Sequence, residues 1–337
     1  MSTLVGIRVP ARDIPFPQSI SAQAVAALQR AIDVNGMPLN ALATLPQPED
    51  FDGWMNLKAT VDAQYAAGIE HLAGELRSTV ETVRIGSATV YVATPAEVKT
   101  DNAVYVDLHG GGFVFGGGPA CRASAQMQAD QLGLPCWSID YRMPPEHPYP
   151  AALDDCLAVY RTLLDRYPVE HIVVGGRSAG GNLAAAMLLR ARAEGLPLPS
   201  ALVLLSPQVD LTESGDSFET NQLIDVVLPG SLMPNNLLYA GGNDLKDPYL
   251  SPLFGDFTAG FVPTFIQSGT RDLFLSNAVR FHRALRHAGI PCELHVFEAM
   301  PHGGFMGSPE DVELRAEIAR FVHANLLSTR GATSNCP

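Results

Sequence analysis

The sequence predicts an α/β fold, a mostly parallel sheet with helices on both faces, and three observations carry that prediction. From about residue 103 onward, apolar strand-like runs alternate with runs of helical period, the order that builds a parallel sheet through helical crossovers. The run Ile172-Val173-Val174 breaks at Gly175-Gly176, exposes Ser178, and turns at once into an Ala- and Leu-rich helical pattern. A chain of 337 residues that is 47% hydrophobic can bury a large core, which favours one big domain with elaborations over two independent ones.

Residues 1–17 are mixed and proline-bearing and read as an extended arm. Across 19–33, Ala, Val and Leu recur at helical spacing, with Asn35-Gly36 as a stop. Pro46, Pro48 and Asp52-Gly53 mark a loop before a second helical stretch at 55–76. Two helices ahead of any strand stand outside a βα alternation, so they read as an appendage over the core. The β-branched runs 79–84 and 88–93 flank Ile85-Gly86-Ser87 and predict a hairpin. A strand at 103–108 runs into His109-Gly110-Gly111-Gly112. Strand 134–139 then precedes helix 151–166, and strand 171–174 precedes helix 179–193. Strand 201–205 leads into an irregular region, 207–262, with a short helix near 231–239. Strand 264–268 precedes helix 276–287, and strand 293–297 precedes helix 309–327.

The irregular region is dense in Pro, Gly, Asp and Asn, yet 223–228 and 237–239 are apolar. An insertion beyond a strand's carboxyl end sits above the ligand crevice, so a lid is preferred to a solvated loop. The expected organisation is cap helices over 1–78 and core over 79–206. A cap insertion over 207–245, core again over 246–330, and a disordered tail at 331–337 complete it.

A formal charge of −13 argues against nucleic acid or an anionic membrane as the main partner. Five cysteines (Cys121, Cys136, Cys156, Cys292 and Cys336) are odd in number and scattered, unlike a disulfide framework or a zinc site. No basic segment followed by an apolar run opens the chain, and no apolar stretch is long enough for a membrane span. A cytoplasmic protein is the expectation.

Gly176-Arg177-Ser178-Ala179-Gly180 has the G-x-S-x-G form, and strand before with helix after is the setting of a nucleophile elbow. A serine there needs a base. Of nine histidines, His302 lies in the Gly-rich run Pro301-His302-Gly303-Gly304-Phe305 just beyond a predicted strand end. His282, His287 and His323 fall in helical patterns, and His295 lies in mid-strand. Asp272, in Ser268-Gly269-Thr270-Arg271-Asp272, leaves another strand at the same sheet edge. On its own such an Asp is most often a helix cap, here for the helix near Ser276. The order Ser178, Asp272, His302 favours an orienting acid, because it is the order of the Ser…Asp…His triad on this kind of sheet. His109-Gly110-Gly111-Gly112 matches a loop whose N–H groups receive an oxyanion, and Ala179 N–H adds a donor.

These motifs together resemble the hormone-sensitive-lipase-like family of bacterial carboxylesterases. The resemblance includes Phe113-Val114-Phe115-Gly116 and the run Asp140-Tyr141-Arg142-Met143-Pro144-Pro145-Glu146-His147-Pro148-Tyr149-Pro150, continuing through Ala151-Ala152-Leu153-Asp154-Asp155. Ser206-Pro207 with Asp210-Leu211-Thr212, and Asp247-Pro248-Tyr249-Leu250-Ser251-Pro252-Leu253, extend it over roughly residues 80–325. It implies an α/β-hydrolase fold, with an eight-stranded, mostly parallel sheet under a helical cap, and hydrolysis of carboxylic esters without cofactor or metal. By motif position it implies Ser178 as nucleophile, Asp272 as acid and His302 as base. Gly111, Gly112 and Ala179 are then oxyanion donors, and His109 and Gly110 shape the loop.

Two departures stand out. Arg177 occupies a position that is usually acidic or threonine in the family, and either favours acidic substrates or pairs with a nearby carboxylate. The apolar Leu273-Phe274-Leu275 follows Asp272 where further acids are common. Short- to medium-chain acyl esters are the expected substrates. A terpenoid-type lactone is the alternative, and a non-catalytic receptor of the same fold is the contrasting class. The strand at 292–298 is expected at the sheet edge, able either to pair a second copy across a two-fold axis or to stand blunted by Glu293 and Glu298.

Overall fold

The computed structural model describes residues 6–328 except 8, 71–74 and 101. The arm's first residues, the end of the second predicted helix and the tail at 331–337 therefore lie outside the described residues.

The chain begins with helices α1 (Ala22–Arg30) and α2 (Phe51–Glu70), separated by a 3-10 turn at Leu39–Leu42. Strands β1 (Thr79–Ile85) and β2 (Ala88–Thr94) form the expected hairpin, followed by β3 (Val104–Leu108) and α3 (Pro119–Leu132). Then come β4 (Cys136–Asp140), α4 (Ala151–Leu164), β5 (Ile172–Arg177), α5 (Ala179–Ala193) and β6 (Ala201–Leu205). The irregular region holds α6 (Ser217–Thr220) and α7 (Met233–Ala240). β7 (Thr264–Gly269), α8 (Leu275–His287), β8 (Cys292–Phe297) and α9 (Pro309–Ser328) close the fold.

One sheet of eight strands runs in the order β1-β2-β4-β3-β5-β6-β7-β8. β2 pairs antiparallel with β1 and β4, and the other pairings are parallel. Alternate strand residues feed two cores. Val104, Val106 and Leu108 pack under α4, α5 and α8, and Tyr105, Val173 and Val203 pack under α3 and α9. β3 connects outward to β4, while β5 lies on its other side, so the order reverses between β3 and β5. In open α/β sheets such a reversal opens a crevice at the strands' carboxyl ends. Leu108 is in register with Gly176, so the loops after β3 and β5 leave the sheet side by side.

The pattern does not reveal α3, because its buried stripe is Cys121, Ala125, Ala129 and Leu132, too small-sided to stand out. Its left-handed C-cap, Gly133, is the signal present. The edge strand stops at Phe297, so Glu298 of the expected 292–298 segment lies beyond it. α1 lies across the end of the sheet: Ala24 and Leu28 pack with Met300 and Phe305. Ser21 caps α1 and bonds Glu310 through both N–H and hydroxyl, at 2.6 and 2.8 Å. Among the described residues no helix is long and apolar enough to cross a membrane.

Candidate active site

Ser178 is where β5 turns into α5, at φ +56°, a conformation non-glycine residues rarely hold. The turn is tight because α5 begins against the end of β3. A Cβ on Gly180 would lie 2.0 Å from the Leu108 carbonyl oxygen, so only glycine fits. Ser178 N–H donates to the Leu205 carbonyl at 2.9 Å, which ties the turn to β6 as well. The side chain stands at the start of α5, whose unpaired N–H groups and positive dipole end face developing negative charge.

The loop after β3 folds back on itself at Gly111, whose carbonyl accepts from Val114 and Phe115 N–H at 3.0 and 2.9 Å. Gly111 takes φ +120°, and a Cβ there would fall 2.1 Å from the Phe115 carbonyl oxygen. The loop lies against the elbow: a Cβ on Gly110 would stand 3.3 Å from Ser178 Cβ. His109 is a strut beneath it. Its ring stacks on Tyr141 at 4.2 Å, its carbonyl accepts from the Tyr141 hydroxyl at 2.7 Å, and its Nδ1 bonds the Gly110 carbonyl at 2.8 Å. Burial lowers the His109 pKa, favouring the neutral ring that donates from Nδ1. Two contacts reach the loop from outside the core: Asn235 Nδ2 to the Gly112 carbonyl at 3.3 Å, and Gly116 N–H to Asp62 Oδ1 at 2.9 Å.

Asp272 follows β7 and His302 follows β8. They meet at 3.1 Å, Asp272 Oδ1 to His302 Nδ1, with the carboxylate fully buried and the imidazole nearly so. Burial alone would raise the Asp272 carboxyl. The His302 charge and hydrogen bond, with the Phe274 N–H at 2.9 Å, outweigh it and hold the carboxyl below the usual range. Ser268 Oγ donates to its other oxygen at 2.8 Å. The bond from Phe274 N–H and the bond to His302 coexist on one carboxylate, so the two readings that spacing left open do not exclude each other. Phe274 also sets its ring edge-on to the imidazole, 4.9 Å between centroids.

Among the described residues Arg177 makes no ion pair, although the Asp107 and Asp311 charges act on it. Its Nη1 donates to the Gly303 carbonyl at 2.9 Å, from an exposed position, tying the residue before Ser178 to the residue after His302. The structure thus brings Ser178, Asp272 and His302, with Gly110–Gly112, to the carboxyl ends of β3, β5, β7 and β8. His295 instead stacks on Phe265 at 4.4 Å and bonds Glu293 at 3.1 Å.

Sequence reasoning misses Asp225 and Asn221, both buried in the irregular region. Asn221 Nδ2 donates to the Asp272 carbonyl at 2.8 Å and the Thr270 carbonyl at 3.2 Å. Asp225 Oδ2 accepts from Leu273 N–H at 2.7 Å. Neither belongs to a local motif that spacing could expose. Among the described residues two side-chain triplets place candidate metal-ligand atoms within 4.8 Å of one another. One is Asp225–Asp272–His302, whose atoms are turned to each other and to main-chain N–H groups. The other is His109–Cys121–Asp140, where burial raises the Cys121 thiol and disfavours the thiolate a metal would need.

A family model described as the α/β hydrolase fold matches residues 105–306. An acetyl-hydrolase from Streptomyces hygroscopicus is 34% identical over 224 residues, 66% of this chain and 74% of that protein. The crystal structure of an esterase, E25, superposes with a TM-score of 0.86 at 35% identity, covering 94% of this chain and 98% of that one. That of an esterase from the bacterial hormone-sensitive lipase family gives 0.79 at 28% identity, covering 92% and 100%.

Proposed function

The chain belongs to the α/β hydrolase fold family, among its hormone-sensitive-lipase-like esterases, and from that premise we propose a serine carboxylesterase working through Ser178, His302 and Asp272. The observation that carries the assignment is the buried 3.1 Å contact between Asp272 and His302 Nδ1, formed by loops that border the Ser178 elbow. Asp272 holds the Nδ1–H tautomer, which leaves Nε2 to take the Ser178 proton as Oγ attacks the ester carbonyl. The tetrahedral oxyanion receives the N–H groups of Gly111, Gly112 and Ala179, on the loop and helix start that flank Ser178. His302 then protonates the leaving alkoxide, and water repeats the sequence on the acyl-enzyme. Short- to medium-chain acyl esters are the proposed substrates. α1, α2 and the 207–245 insertion form the proposed cap, since Asp62 and Asn235 reach the oxyanion loop from them. A homodimer through β8 and a cytoplasmic location complete the proposal. The first is supported by β8 being a sheet edge, the second by four described cysteines that form no disulfide.

Turnover of p-nitrophenyl acetate by the purified protein tests the reaction. Ser178→Ala removes nearly all of it in a folded protein, and His302→Ala is about as damaging, because the three residues act as a unit. Asp272→Asn retains more. Substantial hydrolysis by Ser178→Ala would reject the assignment.

A further inference from the structure

Asp225 is a third titratable group at the Asp272–His302 pair, contributed by the insertion rather than by the sheet. It is 1% exposed. Its carboxylate collects N–H groups from three segments. Val227 and Leu228 donate from its own turn to Oδ1 at 3.0 and 3.3 Å. Leu273, next to Asp272, donates to Oδ2 at 2.7 Å, and His302 N–H reaches Oδ1 at 3.4 Å.

We propose that Asp225 is a positioning residue: its carboxylate ties the loop that carries Asp272 to the loop that carries His302 and sets a second negative charge beside the imidazole. The inference rests on the triad reading above. A simple turn-closing aspartate accounts for the bonds from Val227 and Leu228. It does not account for the shortest of the four, which leaves the turn for the acid loop. Closer to the strands the two loops are already joined, by Arg271 N–H to the Met300 carbonyl at 3.3 Å and Ala299 N–H to Thr270 Oγ1 at 2.7 Å. Asp225 is the tie at the far end, at the residues that meet. The insertion is itself anchored there: Asn221 grips the Asp272 carbonyl, and Asn40 Nδ2 donates to the Asp225 carbonyl at 3.0 Å.

The charge follows from the same placement. The titratable groups facing Asp225 are Asp272 on the acid loop and His302 on the base loop; its own turn contributes amides, and so does the N-terminal segment through Asn40. Burial first, then the Asp272 charge, push the Asp225 carboxyl up to about 6. Above that pH two carboxylates flank the imidazole as it takes the Ser178 proton, and below it only one does.

The test is steady-state kinetics on p-nitrophenyl acetate from pH 5 to 9 for wild type, Asp225→Asn and Asp225→Glu, with Ser178→Ala alongside. In Asp225→Asn we expect kcat to fall about tenfold or more with KM within about threefold, since the loss is of alignment rather than of substrate contact. The acid limb of kcat/KM moves to lower pH by about half a unit, because a nearby negative charge is gone. Asp225→Glu keeps the acid limb and loses kcat. Wild-type kcat and acid limb in a folded Asp225→Asn overturn the inference. So does a fall in kcat matched by a fall in Tm with the acid limb unmoved, the mark of fold support alone. Should Asp225→Asn fail to fold, amide hydrogen exchange in the wild type decides: Leu273 and His302 N–H are both protected if the tie exists, and rapid exchange at either overturns it. Retained turnover in Ser178→Ala strikes the triad reading instead, so the two failures are told apart.

Discussion

Asp225 sets alignment against stability. A buried carboxyl moved from 3.8 to about 6 corresponds to about 3 kcal/mol of stability that the folded state forgoes when the group is charged. The sign follows from a raised folded-state value: the stabilisation is fully present below pH 3.8 and is lost as pH rises through about 6. The Tm difference between wild type and Asp225→Asn, wild type minus variant, should therefore be larger at pH 4.5 than at pH 7.5. Equal differences at both values would mean that the Asp225 carboxyl is ionised alike in the folded and the unfolded chain, with no raised value in the fold. Ser178, Asp272 and His302 were legible because each follows a strand in a recognisable local run. Asp225 was not, since its meaning lies in N–H groups at positions 227, 228, 273 and 302, which no window of sequence contains. Arg177 shows the same limit: its cationic character invited a carboxylate, and the fold supplied a carbonyl 126 residues away.

β8 presents one edge row to solvent because β7 occupies the other. Within it Leu294 and His295 pack inward, while Val296 is 42% exposed. Arg320 and His295 both engage Glu293, so one of the two charges expected to blunt this edge is already paired. Light scattering at micromolar concentration should accordingly find a dimer, and Leu294→Pro or Val296→Pro should shift it to monomer by removing an edge N–H. A monomeric wild type, or a dimer untouched by either change in folded protein, places the contact elsewhere. The core strands were readable as short continuous apolar runs, buried on both faces, and the long helices by apolar positions recurring at helical spacing. α3 hid behind alanines, and α6, with four residues, is too short to show any period.

The candidate site lies where the strand order reverses between β3 and β5, and the order itself is not written in any local stretch. The alternation of runs implied a parallel sheet, whereas the insertion of β3 between β4 and β5 depends on contacts across the whole chain. Over that sheet α1 covers Met300 and Phe305, the residues flanking the His302 loop. Removing α1 should therefore both shift the preferred acyl length and lower kcat, measured on a p-nitrophenyl ester series. An unchanged profile would separate the N-terminal helices from the pocket. The same contact joins the start of the chain to its end, with Ser21 bonded to Glu310 across 289 residues. A ribosome adding roughly 5–20 residues per second needs on the order of half a minute to cover that span. Throughout that interval the apolar side of α1, Ala24 and Leu28, has been made, and its partners Ala299, Met300 and Phe305 have not. Helix α1 is thus made early and fully covered late, and the nascent chain carries part of an apolar surface until the loop bearing His302 leaves the exit tunnel.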